Sequence, residues 1–301
     1  MTKSQDEGLR SRQLKNLKRS AWRNSSNFLR RFTSGNASHH ALPDFIIAGA
    51  MKCGTTSLFH HLLNHPGFVP PQRKEIHYFT NRVNLSHGEN WYRSHLPTYS
   101  ELRQASESLG YQAVTGEATP AMVCNSYAIN ASKLVPKARI VMILRNPIDR
   151  AYSHYHHQRN TFFGDNLSFW EALQAEEKRL AKGTALNMSD PNKVNRHFRR
   201  YSYARRGMYI DQIEHWLRYF PRDQIKIINH QDFSENPSDI LNKISLFVGL
   251  PGHDFGQTVH KNKGNYTEPM DERCRDYLTE LFRPYNRRLY DFLGEDWSWP
   301  N

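Results

Sequence analysis

Apolar residues occur in two patterns that alternate along the chain. One is a short continuous run. Asp44-Phe-Ile-Ile-Ala48, bounded by Pro43 and Gly49, reads as a buried strand, as does Arg139-Ile-Val-Met-Ile-Leu144, and Gln224-Ile-Lys-Ile-Ile-Asn229 reads as another strand. The other pattern has helical spacing. It predicts a helix over Thr55–Leu63, ended by Asn64-His65-Pro66, and helices over 168–180, 208–219, 237–248 and 270–292. The helix at 168–180 opens with a Ser168-x-x-Glu171 capping box. Strands that alternate with helices predict an α/β fold, a mostly parallel sheet flanked by helices in a single domain. No internal repeat interrupts the alternation.

The first 40 residues do not share these patterns. They are polar and rich in Ser and Asn, and nine Lys/Arg face only Asp6 and Glu7 there, a net +7 that leaves +5 of the total +12 for the other 261 residues. Residues 1–40 are expected to be a basic, mostly disordered or peripheral tail, and residues 41–301 the domain. Leu14, Leu17, Ala21, Trp22, Phe28, Leu29 and Phe32 give the tail a possible amphipathic helix for weak contact with an anionic membrane surface. With the tail set aside, the body is mildly basic, and a compact anionic ligand accounts for that charge without nucleic acid.

Cys53, Cys124 and Cys274 are far apart and form no C-x-x-C pair, a usage that suits a reducing compartment. The sequence has no apolar run of about 18 residues and no apolar leader, so the expected location is cytoplasmic.

Two strand–turn–helix junctions carry the chemistry. Gly49-Ala-Met-Lys52-Cys53-Gly54-Thr55-Thr56-Ser57 follows the first strand, with glycines five apart that let the backbone wrap an anion at a helix start. A triphosphate-cleaving P-loop places Lys directly after its second glycine. Here Thr55 holds that place and Lys52 sits inside the loop, which suggests a shorter phosphate chain with the reacting bond nearer the loop. The second junction is Leu144-Arg145-Asn146-Pro147 through Ser153. Arg145 ends a strand, Pro147 opens a helix, and Ser153 lies about two turns in. Arg145 at the carboxyl end of a parallel strand, beside a helix N-terminus, reads as a second anion subsite. Two such sites on one sheet edge fit a ligand with two separated phosphates.

With these segments in view the chain resembles the PAPS-dependent sulfotransferases (PAPS is 3′-phosphoadenosine 5′-phosphosulfate), particularly the heparan sulfate O- and N-sulfotransferase branch and its bacterial relatives. The likeness covers roughly residues 43–300. Phe45 through Ser57 is similar to the family's 5′-phosphosulfate loop. Lys74-Glu75-Ile76-His77-Tyr-Phe79 resembles its K-E-x-H-F-F segment, and Gly116-Glu117-Ala118-Thr119-Pro120 an acceptor-side motif. Ile143 through Ser153 is similar to the 3′-phosphate motif, and Lys261-Asn-Lys263-Gly264-Asn-Tyr266 to the K-G-x-Y loop over the cofactor. Ala118 stands where the 3-O-sulfating members carry the Lys of E-K-T-P, and the disulfide-closed loop after K-G-x-Y is absent; both departures fall on the acceptor side.

The resemblance implies sulfuryl transfer from PAPS, leaving PAP, to an acceptor hydroxyl on a carbohydrate, by in-line displacement and without a metal. Glu75 would be the general base, His77 its neighbour in orienting the acceptor, and Lys52 the charge on the bridging oxygen. Lys52, Cys53, Gly54, Thr55, Thr56 and Ser57 would hold the 5′-phosphate, Arg145 and Ser153 the 3′-phosphate, and Lys263, Gly264 and Tyr266 the lid. Lys74, Glu117 and Arg205 are candidates for the acceptor.

Other readings of the same residues stay open. Glu75 can be a surface carboxylate paired with Arg73 or Lys74, and His77 a hydrogen-bonded strand histidine. Tyr203, Arg205 and Arg206 can form a solvated turn. His154, His156 and His157 suggest a metal, but adjacent histidines on a helix point apart. For the whole chain, the alternatives are sulfation of a small secondary metabolite, a small-molecule kinase of the P-loop type, and a basic protein that binds without catalysis.

Overall fold

Apolar runs become strands where both of their faces can be covered, and all of the expected strands are present. The structure, a computed structural model, describes residues 34–124, 127–161, 164–182, 196–256 and 268–299. Its strands are β1 (Phe45–Gly49), β2 (Gly116–Ala118), β3 (Arg139–Leu144) and β4 (Ile225–Asn229). They form one parallel sheet in the order β2-β1-β3-β4. Every residue of β1 is buried, as is every residue of β3 after Arg139. That is the signature of a sheet covered on both faces.

β2 was not expected as a strand. It is three residues long and places a carboxylate, Glu117, at full burial. Tertiary contacts outweigh its unfavourable strand propensity. Tyr92 Oη donates to Glu117 at 2.5 Å and Thr119 Oγ1 at 2.8 Å, while a side chain on Gly116 would strike the Phe45 ring.

Helices fill the connections. They are α1 (Thr55–Leu62), α2 (Arg82–Ser86), α3 (Gly88–Arg93), α4 (Tyr99–Leu109), α5 (Tyr127–Leu134), α6 (Pro147–Arg159), α7 (Phe169–Lys182), α8 (Arg196–Tyr201), α9 (Tyr209–Leu217), α10 (His230–Glu235), α11 (Pro237–Phe247) and α12 (Glu272–Leu293). The Ser168–Glu171 capping box opens α7 as expected, with Ser168 N–H donating to Glu171 at 2.8 Å. An equivalent box, Thr98 with Glu101, opens α4 in a stretch for which the sequence reading predicted no helix. No described helix is long and apolar enough to cross a membrane.

One core packs around the sheet, with Ile46, Ile47, Val141 and Ile143 fully buried in it. Each such side chain contributes about 1.5–3 kcal/mol relative to exposure. A second cluster lies beneath α6, where Ile148, Ala151, Tyr155, Phe169, Tyr203 and Phe282 meet. α6 is therefore packed on two sides. From β1 the chain moves outward to β2 on one flank and returns to β3 on the other, so the order switches between β1 and β3. In open α/β sheets, ligands bind beyond the carboxyl ends of the strands at such a switch.

Residues just ahead of the expected domain start at 41 also touch the domain. Ser34–His39 is a 3-10 helix, Ala37 is buried, His40 Nδ1 lies 2.6 Å from the Leu96 carbonyl, and Arg93 Nη1 donates to the His40 carbonyl at 2.8 Å. The amphipathic stretch from Leu14 to Phe32 lies outside the described residues. Removing residues 1–33 is expected to leave the melting temperature unchanged. Removing 1–40 breaks these bonds and should lower it by roughly 5 °C. Thermal denaturation of the two truncations checks this.

Candidate functional site

The loop between β1 and α1 is shaped by residues that tolerate unusual backbone. Lys52 has φ 70 and Gly54 φ 87, both left-handed. A side chain on Gly54 would meet the His230 ring at 2.9 Å, and one on Gly49 would meet Val123 at 2.5 Å. Ala50 N–H donates to the Ile143 carbonyl at 2.8 Å and so ties the loop to the end of β3. α1 then begins with no side chain capping it. The Ser57 hydroxyl, in its first turn, is buried without a hydrogen-bond partner among the described residues. An uncapped helix start with an orphaned buried hydroxyl is a fit for an anion.

Cys53 faces inward. Its thiol is fully buried, 3.6 Å from Tyr209 Oη, and burial pushes its pKa up; its N–H donates to the Ala50 carbonyl. Cys53 therefore builds the turn from inside, and its part in holding a phosphate is a proposal.

At the end of β3, Arg145 is partly exposed and 3.9 Å from Asp149. Pro147 opens α6 as expected, but that helix start is not a free anion site. Asn146 Oδ1 accepts from the N–H of Ile148 and of Asp149, and Pro147 has no N–H. An anion at this junction would therefore meet side chains, Arg145 and the buried Ser153, and not free helix N–H groups. Tyr209 Oη joins the two junctions, since it donates to the Arg145 carbonyl at 2.8 Å as well as meeting Cys53. Burial and the Arg145 charge push the Lys52 ammonium below the usual lysine range.

Across from this cluster, Glu75 accepts from Lys74 Nζ at 2.7 Å and lies 3.2 Å from His77 Nε2. Burial alone would raise its pKa. The His77 hydrogen bond and the Lys74 charge outweigh burial and bring it to about 2. His77 Nδ1 lies 3.0 Å from Thr80 Oγ1, and His77 has φ 57. Among the described residues only Lys52, His77 and Ser298 combine a side chain with a left-handed φ. Backbone strain of this kind gathers where function holds it in place.

His157 links the two sides. Partial burial and the Lys52 charge lower its pKa, and the Glu75 carboxylate raises it, so one imidazole lies within electrostatic reach of both groups. In the sequence, His157 suggests only a metal ligand. The missed signal is the spacing to Ser153, four residues on and hence on the same helix face. Among the described residues no group of three His, Cys, Asp or Glu is placed to hold a metal.

The acceptor candidates fare differently. Lys74 is almost fully buried and clamps Glu75. Glu117 is wholly buried beneath Tyr92 and Thr119, and burial pushes its pKa up. Arg205 is exposed, with Nη1 3.7 Å from Met208 Sδ. Its neighbours are not a solvated turn: Tyr203 and Arg206 are buried, Tyr203 Oη donates to Asp165 at 2.8 Å, and Arg206 Nε donates to Ser202 at 2.8 Å. Lys263, Gly264 and Tyr266 lie outside the described residues.

The arrangement can hold an anion in two places at the sheet switch and present a carboxylate and an imidazole to what lies between them. A family model described as Sulfotransferase domain matches residues 42–272. A membrane-associated sulfotransferase, kil1, of Dictyostelium discoideum is 25% identical over 86% of this chain and 67% of its own. A human bifunctional heparan sulfate N-deacetylase/N-sulfotransferase 3 is 30% identical over 84% of this chain, which spans 30% of that relative's length. In three dimensions, a sulfotransferase from Alicyclobacillus acidocaldarius superposes with a TM-score of 0.62 at 26% identity, covering 86% of this chain and 98% of the other.

Proposed function

The chain belongs to the sulfotransferase domain family, and from that premise we propose that it transfers a sulfuryl group from PAPS to a hydroxyl of a carbohydrate acceptor. The observation that carries this reading is the uncapped start of α1 with its unpartnered Ser57 hydroxyl, in a loop that Tyr209 joins to Arg145 through Cys53 and that carries Lys52.

When bound, the donor supplies an activated sulfuryl group on a 5′-phosphate. The Thr55, Thr56 and Ser57 groups and Gly54 would hold that phosphate, and Arg145 with Ser153 the 3′-phosphate. Lys52 would place positive charge where the departing phosphate gains negative charge. Glu75, kept ionised and oriented by Lys74 and His77, would accept the acceptor's proton. His157 is neutral near pH 7 and able to share a hydrogen bond with the incoming group. The segment Lys261–Tyr266 remains the proposed lid.

A second reading is sulfation of an amine, which the N-sulfotransferase relatives favour. Transfer of labelled sulfate from PAPS to a panel of oligosaccharides with free hydroxyls, sugars with free amines and simple alcohols distinguishes them. No transfer to any sugar would overturn the carbohydrate proposal. Arg145→Ala should weaken PAP binding by about tenfold or more, the scale of a lost charged hydrogen bond; unchanged affinity by calorimetry would refute the 3′-phosphate role. The cytoplasmic location is likewise a proposal. It is supported by three free, buried cysteines and is testable by cell fractionation.

A further inference from the structure

Arg150 lies on α6, five residues after Arg145, and its side chain is wholly buried. Its Nη2 donates to the Tyr203 carbonyl, but Nε and Nη1 have no partner among the described residues. Burying a charge with unmet donors is costly, and an orphan of this kind calls for a ligand, a water or a counter-charge.

Its place on the helix narrows the choice. Ser153, His154 and His157 follow at three, four and seven residues and so share its face. Its positive charge reaches Lys52, Cys53 and Tyr209, the residues that form and join the two junctions. Two of the groups around it, Lys52 and Arg206, are cations. Arg206 is buried nearby, and buried His154, with Nδ1 also unpartnered among the described residues, is held neutral by burial and these arginines. Against these stands the Glu176 carboxylate. Burial raises its pKa to about 7, and its oxygens already accept from the Ala204 and Arg205 N–H groups at 2.7 and 2.8 Å. The local charge is therefore unbalanced towards the positive.

We infer that Arg150 belongs to the donor site: its buried guanidinium, unpartnered at Nε and Nη1 and on the α6 face of Ser153 and His157, is the counter-charge for the phosphates of the bound nucleotide. This inference rests on the proposed PAPS reading. It also gives Arg150 a second duty, because the Tyr203 carbonyl it grips opens the turn that Glu176 holds, so that donor binding and the order of residues 203–207 are linked through one side chain.

The test is PAP affinity by calorimetry for the wild type, Arg150→Gln and Arg150→Lys. Glutamine keeps an N–H for the Tyr203 carbonyl but no charge; lysine keeps the charge. Arg150→Gln should bind PAP about tenfold or more weakly, the range of a charge-assisted hydrogen bond, and Arg150→Lys should recover most of that loss. A folded Arg150→Gln with affinity within twofold of wild type overturns the inference and leaves the donor reading intact. A wild-type chain that fails to bind PAP overturns both. Should Arg150→Gln not fold, the Arg150 Nε–H signal of the ¹⁵N-labelled wild type decides. It should shift on PAP addition, and an unmoved signal overturns the role.

Discussion

Lys52→Gly should abolish most turnover while leaving the protein as stable as before, or more so. Lys52 holds φ 70, a conformation that costs a residue with a side chain about 1 kcal/mol and costs glycine nothing. Removing the side chain therefore relieves strain. The ammonium it carried is partly buried beside Arg145, where charge acts more strongly than in water. Losing one such group opposite developing negative charge lowers kcat by about 10²–10³-fold. Steady-state kinetics together with thermal denaturation tests both halves. A Lys52→Gly variant with normal kcat would show that the loop binds without assisting departure.

Glu75→Gln should cost about 10²-fold or more in kcat, the range for a lost general base, with PAP affinity nearly unchanged. The wild-type pH profile adds a sign to this prediction. Glu75 is depressed to about 2, so it stays ionised as pH falls through the ordinary carboxylate range and loses its charge only near pH 2. Its titration therefore sets no acid limb between pH 4 and 8 in the free enzyme. His77→Ala removes the leading lowering contribution and should raise the Glu75 pKa, so that an acid limb moves up towards neutrality. A profile that stays put in His77→Ala would argue against the Glu75–His77 pairing. Glu75→Gln also leaves the nearly buried Lys74 without its partner, so its melting temperature must be measured beside its kinetics.

Much of this was legible before any coordinates. β1 and β3 were continuous apolar runs, which a doubly covered parallel sheet requires, while β4, interrupted by Lys226, lies at the sheet edge and is only partly buried. Lys52, Gly54 and Arg145 were legible because a strand, a turn and a helix occur in immediate succession, so local sequence fixes where their backbone goes. Glu75 and His77 were named through resemblance; their roles remain proposals. β2 was illegible because Gly116-Glu117-Ala118 has no strand pattern and is held by Phe45, Tyr92 and Thr119 from elsewhere in the chain. The same limit applied to Lys74 and Glu117. Both were offered to an acceptor through the motifs they resemble, and both are buried, Lys74 against Glu75 and Glu117 against Tyr92 from 25 residues away, which no motif announces.

The sequence alone determined the α/β class, the junction after β1 and the junction after β3, since each depends on propensities and spacings within about a dozen residues. The tertiary structure decided which charges meet. It directed Cys53 into the core, used Asn146 to close the start of α6, brought His157 within electrostatic reach of Lys52 and Glu75, and buried Arg150 with Nε and Nη1 unpartnered among the described residues. Those outcomes follow from desolvation and from contacts between residues up to a hundred or more positions apart, and neither is written in any local stretch of the chain.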